Sequence, residues 1–423
     1  MRKPVVILSV VSSLALSATS PLLAQLQSPL GQVGLPGIGR GVGGILDAAG
    51  ESVNGLGTMA QHEANRLLRL RDRHVTRLLR QHRDLVERDA NGDLARRGEI
   101  LVTGPTDSTL AALQRAGFSI LSEETVEGLG LAIVRLEVPQ GLSLARAQAL
   151  ARRAAPEAEI AVDNLHWQSG ARAEQGAVLP MSMLSVQSAA TSVDTAIGVI
   201  DGAPNASLRL NGSKGFARGA PLASDHGSAI VSLLQGEGAR RLWVADVYGN
   251  DPAGGNALAI VRALGWLATS GCKVVTISLV GPRNAVLERA IAQAQQRGIV
   301  IIAAVGNDGP AAPPAYPASY GKVVSVTGVD RKGRVLIEAG RALHLDYAAP
   351  GADVHALNAK GRPVRLRGTS FATPLVAVRL ADALTRDGDW RKRLDREARD
   401  LGPKGPDNRF GRGLLCGACG RKP

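Results

Sequence analysis

Aromatic residues are scarce in this chain: four Trp, four Tyr and four Phe, 3% of 423 residues. Any core must therefore be built from Ala, Val, Leu and Ile, and a hydrophobic content of 45% is enough to build one. The same scarcity leaves little to stack on bases, and no nucleic-acid motif occurs. The formal charge of +13 is accordingly read as a solvated, Arg-rich surface, with no nucleic-acid partner expected. No apolar run reaches the ~20 residues that a membrane span requires. No carboxylates are spaced like a calcium loop, so no cofactor is required and a structural calcium ion would have no clear ligand cluster. Cysteines number three, Cys272, Cys416 and Cys419. In an oxidising compartment they allow one disulfide and one free thiol, with three pairings open. Cys416 and Cys419 have redox-motif spacing. They sit in a Gly-rich tail rather than at a helix start in a βαβ unit, which argues against redox chemistry.

What is present divides the chain into segments. Arg2 and Lys3, an apolar stretch over 5–18 and small residues up to Ala24 read as a secretory signal over 1–24, with cleavage after Ala24 or nearer Ala18. Residues 25–60 are Gly-rich and aperiodic and read as a linker. They contain a literal G-x-G-x-x-G at Gly39, Gly41 and Gly44, but no strand precedes it and no amphipathic helix follows, so the dinucleotide reading fails. Residues 61–97 read as a basic amphipathic helix: Leu68, Val75, Leu79 and Val86 share one face and Arg covers the rest. Membrane-surface binding and packing against a neighbouring domain both fit such a helix.

Residues 98–168 give the order β-α-β-β-α-β, with strands at 99–102, 118–121, 130–138 and 159–162 and helices at 106–116 and 142–154, which suggests a ferredoxin-like α+β unit. A polar stretch follows over 169–192. From 193 the pattern changes. Near-continuous apolar runs at 196–200, 242–247, 274–278, 300–305 and 323–326 alternate with helical stretches, as in a parallel sheet covered on both faces. Residues 193–415 are thus expected to form an α/β domain, with 416–423 as a tail.

Four residues of that domain suggest chemistry, and each has an ordinary explanation when taken alone. Asp201 follows a buried strand, where Asp is commonly a turn residue or helix cap. His226 opens a helix; as a general base it would offer one ring nitrogen to a nucleophile and the other to a carboxylate. Asn307 follows a strand and a Gly, which is normal turn chemistry, yet its amide can donate to an oxyanion. Ser370 opens an apolar helix with Pro374 in its early turns, where Ser is a favoured N-cap; the other reading is a nucleophile beside a helix N-terminus. The chain order Asp, His, Ser is one of the recorded orders of a catalytic triad, and the oxyanion donor falls between His and Ser.

On these residues the region from about 196 to 415 resembles the subtilase family of serine peptidases. Gly368, Thr369, Ser370, Phe371, Ala372, Thr373 and Pro374 look like the family's Ser motif, and the surroundings of Asp201 and His226 are similar but looser. The resemblance implies that Thr276, Ile277, Ser278 and Leu279 pair with extended substrate, and that Ser278, Leu279, Val280, Ala304 and Ala315 bind it. It implies a cis bond at Tyr316–Pro317, and an oxyanion hole of Asn307 and the Ser370 amide. It further implies that 98–168 is a propeptide that assists folding and blocks the cleft, with cleavage between 168 and 192. The sequence departs from the family at Ala229, where a second His is usual, at Val280, where Gly is usual, and at Ala315, where Gly is common. The last two suggest a shallow pocket for small or medium apolar side chains. Residues 209–223 and 236–256 match poorly.

The expectation is therefore a subtilisin-like α/β endopeptidase, secreted or periplasmic, made as a self-processing zymogen. It would be monomeric and act on proteins or peptides. A catalytically inactive subtilase-like binding protein and an esterase are the alternatives. An esterase would usually carry a G-x-S-x-G elbow, and Ala372 stands where its second Gly would be.

Overall fold

In the computed structural model, which describes residues 42–168, 172–173, 192–386 and 388–415, helix α1 (Val42–Gln81) comes first. Residues 1–57 and 58–423 form separate compact units. The signal over 1–24, Gly39, Gly41, most of the 169–192 stretch and Cys416 with Cys419 lie outside the described residues.

Two expectations at this end are corrected. Residues 42–60, read as an aperiodic linker, are helical and contain Gly44. They continue into the amphipathic turns of the same helix, and extending an existing helix needs no new nucleus. The helix expected over 61–97 stops at Gln81, and Val86 belongs instead to strand β1 (Val86–Arg88), which forms an antiparallel hairpin with β2 (Leu94–Thr103). Asp89 shapes that turn: its Oδ1 accepts from Asn91 N at 2.8 Å and from Asp93 N at 2.9 Å, and Gly92 takes φ 83°.

The small sheet then follows the expected order, beginning at 94 rather than 98: β2, α2 (Asp107–Arg115), β3 (Ser119–Val126), β4 (Leu131–Glu137), α3 (Leu144–Ala154) and β5 (Glu159–Asn164). β2 lies between β4 and β5, β3 pairs with β4, and all pairings are antiparallel. Ile100, Val102, Leu136 and Leu144 are fully buried between this sheet and its helices. Two short strands, β6 (Trp167–Gln168) and β7 (Arg172–Ala173), leave this unit.

The larger α/β part runs β8 (Ile197–Asp201), β9 (Gly212–Gly215), α4 (Asp225–Gly236), β10 (Leu242–Asp246), α5 (Ala257–Thr269), β11 (Val274–Ile277), β12 (Leu279–Val280), α6 (Ala285–Gln296), β13 (Val300–Ala304), β14 (Val324–Val329), β15 (Tyr347–Pro350), β16 (Val354–Leu357), β17 (Pro363–Arg367), α7 (Thr369–Leu384) and α8 (Trp390–Glu397). Seven strands form one sheet in the order β15-β14-β13-β11-β8-β10-β9, with every pairing parallel. Helices α5 and α6 cover one face and α4 and α7 the other, so strand residues such as Ile200, Val275 and Ile302 are fully buried. Each contributes roughly 1.5–3 kcal/mol of apolar burial.

The small unit sits across the starts of α5 and α6. Asp163 of β5 accepts at Oδ1 from Leu258 N, in the first turn of α5, at 2.9 Å. Asn284, the N-cap of α6, donates from Nδ2 to Val162 O at 2.8 Å and Asn164 Oδ1 at 3.0 Å. Both contacts satisfy polar groups that would otherwise be buried and unpaired. From there the chain passes along 165–168 towards the C-terminal ends of the sheet strands, the edge where loops of α/β sheets converge.

Candidate active site

Asp201 is the last residue of β8, flanked by β10 and β11, and is wholly buried. Its carboxylate is held on both sides. Oδ1 accepts from Gly202 N at 2.7 Å and from Gln168 Nε2 at 2.8 Å, and Oδ2 lies 2.8 Å from His226 Nδ1. It caps no helix; the α4 cap is Ser224, whose Oγ accepts from Gly227 N at 3.0 Å.

His226 is the second residue of α4 and 4% exposed. With Nδ1 against a carboxylate acceptor, the hydrogen-bond network assigns the ring proton to Nδ1. Nε2 then carries the lone pair, and it has no hydrogen-bond partner among the described residues. The imidazole packs at 5.5 Å from the ring of Phe371, the residue after Ser370, because α4 and α7 share one apolar layer.

Ser370 is the second residue of α7, whose N-cap is Gly368, so Ser370 does not cap the helix. Its neighbour across the sheet edge is Ser278: Ser278 Oγ donates to Ser370 O at 3.2 Å, and Ser370 Oγ to Ser278 O at 3.4 Å. Asn307 accepts at Oδ1 from Thr369 N at 2.9 Å. An amide with its oxygen committed to a backbone N–H must turn its NH₂ the other way. Consistent with that, a Cβ on Gly368 would stand 2.9 Å from Asn307 Nδ2, which explains why φ 148° glycine occupies this position. A hydroxyl, an amide donor and a carboxylate-held imidazole thus gather at one sheet edge, the set that nucleophilic acyl transfer requires.

β12 carries Leu279 and Val280 beside this group, and it is already paired. Gln168 lies opposite Leu279 and Trp167 opposite Val280, antiparallel. The segment leading in is tightly seated. His166 N donates to Gly255 O at 2.8 Å, Tyr248 Oη donates to His166 O at 3.0 Å, and a Cβ on Gly281 would meet the His166 ring at 2.5 Å. Burial drives the His166 imidazole down to about 4, partly opposed by nearby backbone carbonyls of Asn164, Gly255 and Pro282. Tyr248 is pushed well up by burial and by the charges of Asp201 and Asp246. On the far side β7 pairs with β17, Arg172 opposite Arg367.

Val280, Gly306 and Ala315 line a cavity of about 460 Å³; Ala304, fully buried at the end of β13, is not among its lining residues. Tyr316–Pro317 is cis. Among the described residues, no group of three or more His, Cys, Asp and Glu could hold a metal ion. Gln168, His166 and Tyr248 were not singled out in the sequence as parts of the site.

The profile of the Subtilase family matches residues 204–413, a span that includes His226, Asn307 and Ser370 and begins just after Asp201. Subtilisin BL of Lederbergia lenta is 30% identical over 227 residues, covering 49% of this chain and 82% of the relative. Among solved structures, fervidolysin of Fervidobacterium pennivorans, described as a keratinolytic enzyme related to subtilisin, superposes with a TM-score of 0.63 at 15% identity, over 76% of this chain and 60% of that one. The epidermin leader peptide processing serine protease of Staphylococcus aureus gives 0.57 at 17% identity, over 75% and 96%. At such identities the two structures bear on the fold alone.

Proposed function

This chain belongs to the subtilase family, has the subtilisin-like fold and is a serine-type endopeptidase, and we propose that Ser370, His226 and Asp201 carry its reaction. Ser370 Oγ attacks the scissile carbonyl carbon while His226 Nε2 takes its proton. The carbonyl oxygen becomes an oxyanion, bound by Asn307 Nδ2 and the Ser370 N–H. The intermediate collapses to an acyl-enzyme as His226 returns the proton to the leaving amine, and water repeats the sequence to release the acid. Asp201 holds the imidazole and stabilises its charged form. The observation that carries this reading is the 2.8 Å contact of His226 Nδ1 with an Asp201 carboxylate fixed by further donors, with the imidazole packed on Phe371 next to Ser370.

Substrate would pair with β12, as β6 does. We take β6 for the chain's own first substrate, and residues 98–168 for a propeptide. Gln168 is bonded to Asp201, and Arg172 pairs with Arg367, three residues before Ser370. These contacts favour, within 168–192, a cut between 168 and 172 as the self-processing bond of this proposal. Export through the 1–24 signal to the periplasm or beyond, and action as a monomer on protein or peptide substrates, complete the proposal.

A fluorophosphonate should label processed protein at Ser370, and Ser370→Ala should abolish both label and peptide turnover. Processed wild-type protein that takes no label refutes the assignment. Mass spectrometry of the same pair reads the cleavage point; processing that survives in Ser370→Ala would show that another protease does the maturation.

A further inference from the structure

Beyond β6, a second part of the chain lies over the site. The second half of α1 crosses it, and its inward residues rest on the loop that follows Asn307. Leu67 sits directly on Gly309: a Cβ there would meet Leu67 Cδ1 at 2.9 Å. Arg71 Nε lies 3.5 Å from Asp308 Oδ2, and its guanidinium stands 5.8 Å over the Trp167 ring. The His74 ring packs against the same indole at 6.3 Å. Further along, Val75 is buried with Val86, Leu94 and Leu165, so the helix is also fixed to the small unit. Between helix and loop remains a cavity of about 600 Å³, whose lining includes Leu67, Leu70, Trp167, Asn307, Ile337 and Arg367. The oxyanion donor thus opens into a space roofed by α1.

We propose that residues 63–74 of α1 are a second inhibitory element, docked on Asp308 and Gly309 beside the β6–β12 pairing. This rests on the endopeptidase reading above. The surface is suited to a basic amphipathic helix: a glycine that admits an apolar side chain, a carboxylate beside it for Arg71, and an exposed Ile337 at the rim. Arg71 is not a surface pair of the usual small effect, since it also stacks on Trp167 and so ties the helix to the residue that occupies the substrate strand. Cutting after β6 leaves these contacts intact. Full access to the cleft then requires the helix to leave as well, and its departure uncovers Asp308 next to the oxyanion loop.

The test uses the full chain with Leu67→Asp and, separately, Arg71→Glu. In a Ser370→Ala background, hydrogen exchange should accelerate on the order of tenfold at residues 305–309 and 167–168, with 100–103 and 133–136 unchanged as a control for the small sheet. In the active chain, the lag before peptide hydrolysis should shorten by a similar factor, while the final rate after complete processing stays the same. Unchanged exchange at 305–309 in both variants overturns the docking, whether or not peptide is cut. Accelerated exchange with an unchanged lag overturns the inhibitory role. Accelerated exchange in a chain that never cuts peptide supports the docking and overturns only the endopeptidase reading.

Discussion

Lowering the pH of the unprocessed chain from 7 to 5 acts on two buried groups of the same segment with opposite sign. His166 is neutral in the folded chain, at about 4 against 6.5 when free, because burial disfavours its cation. Its contribution is present above 6.5 and is lost as pH falls towards 4. Linkage gives a loss of about 2 kcal/mol between pH 7 and 5. Asp163 is pushed up to about 6 from 3.8, chiefly by burial, with the Leu258 N–H, Arg96 and Arg135 opposing the shift and Glu99 adding to it. Its folded form takes a proton first, so stability rises as pH falls through 6, by about 1 kcal/mol over the same interval. The two effects oppose, so the wild-type segment should respond to acid less than either group alone.

The variants separate the two. Asp163→Asn keeps an oxygen for Leu258 N–H and removes the titration, leaving the full histidine loss of about 2 kcal/mol. His166→Leu removes the other titration and leaves a gain of about 1 kcal/mol. The assay is the thermal midpoint of each variant in a Ser370→Ala background at pH 5 and 7. At roughly 1 °C per kcal/mol for a chain of 423 residues, the Asn variant should drop by about 2 °C on acidification and the Leu variant should rise. Every other titrating group cancels in the comparison of slopes. Parallel profiles for parent and both variants would refute the argument, and with it the view that 163–166 is a sealed junction.

Asn307→Leu should lower kcat by about 10²–10³, the loss recorded for an oxyanion-hole donor in subtilisin, with KM little changed. Gly368→Ala should lower kcat similarly through Asn307, because the new Cβ would stand 2.9 Å from its Nδ2, and peptide turnover at saturating substrate measures both. Cys272 is 1% exposed and its thiol is pushed up to about 12 by burial, so iodoacetamide at pH 8 should leave it unmodified in folded protein and alkylate it in urea, as read by mass.

The strands of the parallel sheet were legible because burial on both faces makes them continuous apolar runs, and β8, β10, β11, β13 and β14 fall where those runs are. β9 was not, since Gly212–Gly215 is an edge strand of small and polar residues with no run to see. The boundary of α1 was misplaced for a different reason. Leu68, Val75, Leu79 and Val86 keep helical spacing across a turn, and that spacing alone cannot show that the helix has ended. Asn91 and Gly92 did announce a hairpin, and giving local turn chemistry precedence over a seven-residue period would have put Val86 in a strand.

The site was legible in its residue types and their order but not in what surrounds them. Taken alone, Asp201 and His226 read as a turn residue and a helix-start histidine; chain order grouped them, and the 2.8 Å contact joins them across 25 positions. Ser370 read equally well as a cap, and only the structure moves the cap to Gly368. What no pattern could show is the partner of β12. Trp167 and Gln168 lie more than a hundred positions from Val280 and Leu279, and two residues are too few for any periodicity. The glycines that admit them, Gly255 and Gly281, look in sequence like ordinary loop residues; they become informative only when a Cβ is placed on each and meets His166. The consequence is that the occupant of a cleft is written in the cavities left for it, at positions where side chains are missing. In this chain those positions are Gly255 and Gly281 for the strand, and Gly309 for the helix above it.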